Sequence, residues 1–126
     1  QEFARQYEGQ SGHIITLGAG CGIQGRLNGA NFCSAKGGIL ALTKCMAREL
    51  APRIAVNCLT PSAVDTDEVV SRYHLKTQEG LKKVLSGIPL NRLGKRDDVI
   101  QMTESILSAK FTTGSNFFVN GGELMH

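Results

Sequence analysis

In Gly12-His13-Ile14-Ile15-Thr16-Leu17-Gly18 a short β-branched run sits between two glycines. It is too short for a helix and is bounded by breakers, so it reads as a strand. From about Asn31 to Leu50 the apolar residues Ile39, Leu42, Met46 and Leu50 recur at spacings of three and four. That pattern predicts a helix with one buried face, stopped by Pro52. Ile54-Ala55-Val56-Asn57-Cys58-Leu59 is a second strand, followed by the loop Thr60-Pro61-Ser62. Strand, helix and strand with no hairpin turn between them predict parallel pairing.

The remainder repeats the alternation. Thr66-Asp67-Glu68 has the form of a helix start, a hydroxyl cap followed by acids in the first turn. Lys76–Leu85 reads as a short amphipathic helix and Ile88–Gly94 as a connection. Asp97 or Asp98 is expected to cap a further helix in which Val99, Met102 and Ile106 line one face. Gly114–Gly122 encloses a last strand around Phe117, Phe118 and Val119. Residues 1–126 form one α/β unit with no repeat and no linker. Parallel strands are normally buried on both faces within larger sheets. A three-stranded sheet, in a chain that begins with Gln1 instead of Met, creates the expectation of a missing half upstream.

Composition narrows the function classes. The chain has 126 residues, 41% of them hydrophobic and 20% charged, which argues for a modest packed core and against disorder. No apolar run approaches the ~18 residues of a membrane-spanning helix, and Gln1–Ser11 lacks the apolar centre of a signal peptide. The net charge of +3 is spread over scattered lysines and arginines, a solvated surface and no nucleic-acid patch. Cys21, Cys33, Cys45 and Cys58 form no C-x-x-C pair, and His13, His74 and His126 fall at no ligand spacing, so no metal site is expected. Mostly buried free thiols in a reducing, cytoplasmic compartment are the expectation.

One motif misleads. Gly20-Cys21-Gly22-Ile23-Gln24-Gly25 follows the first strand and matches G-x-G-x-x-G, which by itself is the dinucleotide fingerprint. That fingerprint requires a helix starting within it and an acidic residue at the end of a second strand about 20 residues on. Here the helix begins late, near Asn31, and runs through the place where that strand would end. The motif therefore reads as a glycine-rich loop.

The rest of the pattern is more specific. Gly12-His13-Ile14-Ile15-Thr16-Leu17, then Phe32-Cys33-Ser34-Ala35-Lys36-Gly37-Gly38, Leu42-Thr43-Lys44, Glu49-Leu50-Ala51 and Ile54-Ala55-Val56-Asn57-Cys58-Leu59-Thr60-Pro61 stand in order. Val64-Asp65-Thr66-Asp67, Ile88-Pro89-Leu90-Asn91-Arg92-Leu93-Gly94, Thr113-Gly114 and Val119-Asn120-Gly121-Gly122 follow. In order and spacing these resemble the classical branch of the short-chain dehydrogenase/reductase family, most like its 3-oxoacyl-acyl carrier protein reductases. The resemblance implies the C-terminal half of a doubly wound, Rossmann-like parallel-sheet domain, with the nucleotide-binding N-terminal half absent. Residues 1–9 would be the tail of the fourth helix.

The resemblance also assigns residues. Family chemistry uses a serine that holds the substrate carbonyl, a tyrosine that exchanges the proton, and a lysine four residues later that lowers the tyrosine's pKa and binds the nicotinamide ribose. The lysine position is Lys36, the tyrosine position Phe32 and the serine position Ala19. Phenylalanine has no proton to give and alanine cannot bind a carbonyl. Loss of a positioned general acid alone costs ~10²–10⁴ in rate. Ser34 and Thr16 are the nearest hydroxyls, and the position that holds the tyrosine in enoyl reductases of the family is Gly29. NAD or NADP is the implied cofactor, with Lys36, Pro61, Val64 and Thr66 at its nicotinamide end. Ser62 replaces the family's glycine after Pro61. The expected function is a catalytically impaired oxidoreductase acting on a small molecule, or a non-catalytic subunit that works by association.

Gly37 and Gly38 within a helix cost roughly 1 kcal/mol each against alanine, so close packing is expected there. In the family this helix joins a subunit interface, which implies a homo-oligomer formed through residues 31–50.

Overall fold

The computed structural model describes residues 11–125 together with Gln6 and Gly9. Those two residues aside, the expected helix tail over residues 1–9 lies outside the described residues. The elements run β1 (Gly12–Leu17), α1 (Cys21–Gln24), α2 (Ala30–Leu50), β2 (Ile54–Pro61), α3 (Asp67–Arg72), α4 (Gln78–Leu85), α5 (Arg96–Ser108) and β3 (Asn116–Val119). All pairing is parallel, in the order β1-β2-β3. Gly12 pairs with Ile54 and Leu17 with Leu59 on one side of β2, and Cys58 pairs with Asn116 and Pro61 with Val119 on the other.

The central strand explains the core. Val56, Cys58, Leu59 and Thr60 of β2 are all buried, on both faces of the sheet, as a strand covered by helices requires. Ala47 of α2 packs with Ile54 and Val56, and Ile14, Met46 and Leu50 close around them. Since β3 joins β2 only at Cys58, the segment before it satisfies the rest of that edge. The Gly114 N–H donates to the Val56 carbonyl at 2.7 Å. Buried Asn57 donates from Nδ2 to the Thr112 carbonyl at 3.0 Å and accepts from the Ser115 N–H at 3.1 Å.

Four expectations need correction. The glycine-rich loop contains α1, a single helical turn with no periodicity to announce it. Leu42 does not share the buried face of α2 and is 47% exposed, because the inward stripe runs through Thr43 and Ala47. Helix α5 starts at Arg96, and Asp98 stands at its third position, accepting from the Lys95 N–H at 2.6 Å. Of the four thiols only Cys58 is buried, while Cys45 is exposed. Among the described residues β1 has a strand neighbour on one side only, and Leu17 at its end is 56% exposed.

Candidate functional site

Parallel strands deliver their C-terminal ends to one edge of the sheet, where open α/β folds bind ligands. That edge opens into a cavity of about 960 Å³ whose walls include Ala19, Phe32 and Pro61. Gly18 makes the turn out of β1 possible. A Cβ there would stand 2.4 Å from Thr60 Oγ1 and 2.8 Å from Cys58 Sγ, so only glycine passes over the central strand.

The misleading glycine motif acquires a mechanical meaning. A Cβ on Gly22 would lie 2.7 Å from the Lys36 carbonyl carbon and 2.8 Å from the Gly37 nitrogen, so α1 rests directly on the backbone of α2. Gly25 has φ +72° and turns the chain out of α1. The close packing expected around Gly37 and Gly38 is present at Gly37, where a Cβ would meet the Gly22 carbonyl at 3.1 Å. At Gly38 a Cβ would meet nothing within 4 Å.

Lys36 rises from the second turn of α2 and donates to the Leu17 carbonyl at 2.8 Å. Its ammonium stands 5.8 Å from the centroid of the Phe32 ring. A second cation sits on the same ring, the Arg26 guanidinium at 4.9 Å from the centroid. Neither hydroxyl near Ala19 and Phe32 in sequence replaces the missing ones. Thr16 Oγ1 is 2.7 Å from Thr43 Oγ1 in the strand–helix packing, and Ser34 is exposed and off the cavity wall. The phenol on the wall is Tyr73, at the far end of α3.

Of the expected cofactor residues only Pro61 is on the cavity wall; Lys36, Val64 and Thr66 are not. Val64 bridges Gly94 through its neighbours, with the Asp65 N–H donating to the Gly94 carbonyl at 2.8 Å and the Gly94 N–H to the Ala63 carbonyl at 2.9 Å. The Val64 N–H and C=O thereby point away from Gly94. Thr66 caps α3, its Oγ1 accepting from the Val69 N–H at 3.4 Å, which leaves the hydroxyl hydrogen as a donor. Ser62 donates from Oγ to the Glu123 carboxylate. Sequence reasoning missed Glu123 and Arg26, since an isolated charge in a loop carries no periodic signal.

The residues present suit the nicotinamide end of a dinucleotide. The Lys36 ammonium keeps two N–H groups beyond its bond to Leu17, Val64 offers backbone groups, and Thr66 offers a hydroxyl. Cys21, also on the wall, is no activated nucleophile. Burial raises its pKa, the adjacent Cys33 thiol raises it further, and Arg26 opposes them more weakly. Among the described residues no three His, Cys, Asp or Glu side chains cluster as metal ligands, and no helix is long and apolar enough to cross a membrane.

A family model described as enoyl-(acyl carrier protein) reductase matches residues 1–123. The 3-oxoacyl-(acyl-carrier-protein) reductase of Haemophilus influenzae is 34% identical over 114 residues, covering 88% of this chain and 46% of that protein. An uncharacterized short-chain type dehydrogenase/reductase of Sinorhizobium fredii is 41% identical over 106 residues, covering 81% of this chain and 40% of its own. The chain thus spans about half the length of the curated relatives it matches. Among solved structures, a short-chain dehydrogenase/reductase from Brucella melitensis superposes with TM-score 0.81 at 29% identity, over 90% of this chain and 46% of that one. A 4-hydroxyisoleucine dehydrogenase mutant complexed with NADH and succinate gives TM-score 0.83 at 28% identity, over 90% and 47%.

Proposed function

Because the chain belongs to the short-chain dehydrogenase/reductase family, we propose that it is an NAD(P)-dependent oxidoreductase by lineage in which carbonyl proton transfer is impaired. The observation that carries this reading is that Ala19 and Phe32 share one cavity wall at the positions of the family's serine and tyrosine. Lys36, Pro61, Val64 and Thr66 would hold the nicotinamide end. When bound, NADH or NADPH supplies the hydride. The chain's own residues bind and orient. Lys36 presents its charge beside Phe32, Thr66 presents a hydroxyl, and the Phe32 ring offers a face and no proton. The substrate is a small molecule and the setting cytoplasmic.

The test is hydride transfer from NADH and NADPH to small ketones, measured for the protein and for a variant carrying Phe32→Tyr with Ala19→Ser. Restored donors should raise the rate ~10²-fold or more. No gain in a variant that still binds cofactor would overturn the reading.

A second reading has its own observation. The outer face of α2 carries Leu42, 47% exposed, beside Gly38, whose missing side chain opens onto nothing. It favours a non-catalytic subunit that associates with its own copies through residues 31–50. Leu42→Asp should then lower the oligomeric mass in sedimentation, and an unchanged mass would exclude that face.

A further inference from the structure

We infer that the cavity takes an organic anion, with Arg26 as the residue that selects its carboxylate and Phe32 as the platform beneath Arg26. The inference deepens the reading of this cavity as a small-molecule site and rests on it.

Three residues at intervals of three build the device. Arg26 leaves the loop after α1, Gly29 precedes α2, and Phe32 lies in its first turn. A Cβ on Gly29 would stand 2.5 Å from both Cγ and Nε of Arg26. The stem of Arg26 therefore occupies the space that any side chain at position 29 would need. Its guanidinium is carried over the Phe32 ring, 4.9 Å from the centroid, within the range of a cation–π contact. The open space at Gly29 and the Phe32 ring together accommodate the arginine along the cavity wall.

Among the described residues no carboxylate pairs with Arg26. Of the other wall cations, Arg72 is paired with Glu68 on its own helix, and Lys83 lies on α4 without an aromatic platform among the described residues. Glu123, the remaining wall acid, accepts from Ser62. A planar guanidinium with five donors matches a carboxylate in a two-point grip that a lysine does not reproduce. The surrounding Ala19, Val69, Val84 and Leu124 suit a hydrocarbon body behind that head group. The wall where the family places a proton donor thus carries an arginine stacked over an aromatic ring.

The test is equilibrium binding, by calorimetry or ligand-detected NMR, of hexanoate, hexanamide and inorganic phosphate to the protein and to Arg26→Gln. Hexanoate should bind at least about tenfold more tightly than hexanamide, and Arg26→Gln should erase that preference, since a hydrogen bond to a charged group is worth that factor or more. Gly29→Ala keeps every charge but evicts the arginine stem, so it should lose the same preference while unfolding cooperatively. Phosphate binding equal to hexanoate would overturn the organic-anion assignment. Equal binding of acid and amide would overturn the role of Arg26 while leaving the cavity as a small-molecule site. Binding of neither would overturn the inference together with that reading. Failure of hydride transfer in the Phe32→Tyr, Ala19→Ser variant would overturn the oxidoreductase reading alone, because anion binding is read without cofactor.

Discussion

The Lys36 ammonium donates to the Leu17 carbonyl at 2.8 Å, tying the first half of α2 to the C-terminal end of β1. Leu17 is the last residue of its strand, where the next chain direction is set by Gly18. The bond therefore fixes the height of α2 above the sheet edge, and with it the position of Phe32 four residues earlier. A lysine that reads in sequence as a ribose ligand is also a strut. Because the bond is solvent-exposed, Lys36→Met should lower unfolding free energy by about 0.5–1.5 kcal/mol, the range for an ordinary intramolecular hydrogen bond, as measured by urea titration. An unchanged midpoint would mean that the strut contributes nothing.

Asn57 is the polar residue on which the β2–β3 connection depends. Its side chain is buried and satisfies both the Thr112 carbonyl and the Ser115 N–H. Asn57→Leu fills similar space but strands both backbone groups. A loss of roughly 2–6 kcal/mol in chemical denaturation is expected, at about 1–3 kcal/mol for each unsatisfied group.

Gly22→Ala should separate α1 from α2. The new Cβ would meet backbone atoms of Lys36 and Gly37 at 2.7 and 2.8 Å, and backbone does not rotate away. Overpacking of this kind costs about 1–3 kcal/mol. Hydrogen exchange should show faster opening over residues 19–37 with β2 unaffected.

The acid limb of stability should depend on Asp98. The Arg92 guanidinium bonds both of its carboxylate oxygens, at 2.7 and 2.8 Å, and the Lys95 N–H adds a further bond. Together they hold its carboxyl well below the usual carboxylate range. A depressed folded-state pKa stabilises fully above the ordinary aspartate value of about 4 and is lost as pH falls through it toward the lower folded value. The Tm gap between the protein and Asp98→Asn should be largest at neutral pH and close on acidification. A gap that widens in acid would reverse the assignment.

Much of the fold was legible because its signals are local. The β-branched runs between glycines, the long helix stopped at Pro52 and the hydroxyl of Thr66 before two acids each carry their own cause. What was not legible had no local cause. Helix α1 is one turn long, too short to show a period. Leu42 obeys the helical spacing but lies outside the inward stripe of Thr43, Met46, Ala47 and Leu50, because the spacing places a face only to within a residue or so. Arg26 and Glu123 join the site only through contacts made across the fold.

The sequence by itself determined the order of the strands and of every helix but α1, the parallel pairing and the identity of the residues at the family's reactive positions. The first two follow from short-range periodicity and the placement of breakers, and the last from the resemblance of the ordered motifs to the family. Tertiary structure alone decided what those residues face. It placed Gly22 on the backbone of Gly37, set Lys36 against Leu17 and fitted the Arg26 stem into the space that Gly29 leaves empty. Such placements depend on distances between elements, and close packing fixes those only when the whole sheet and its helices are assembled.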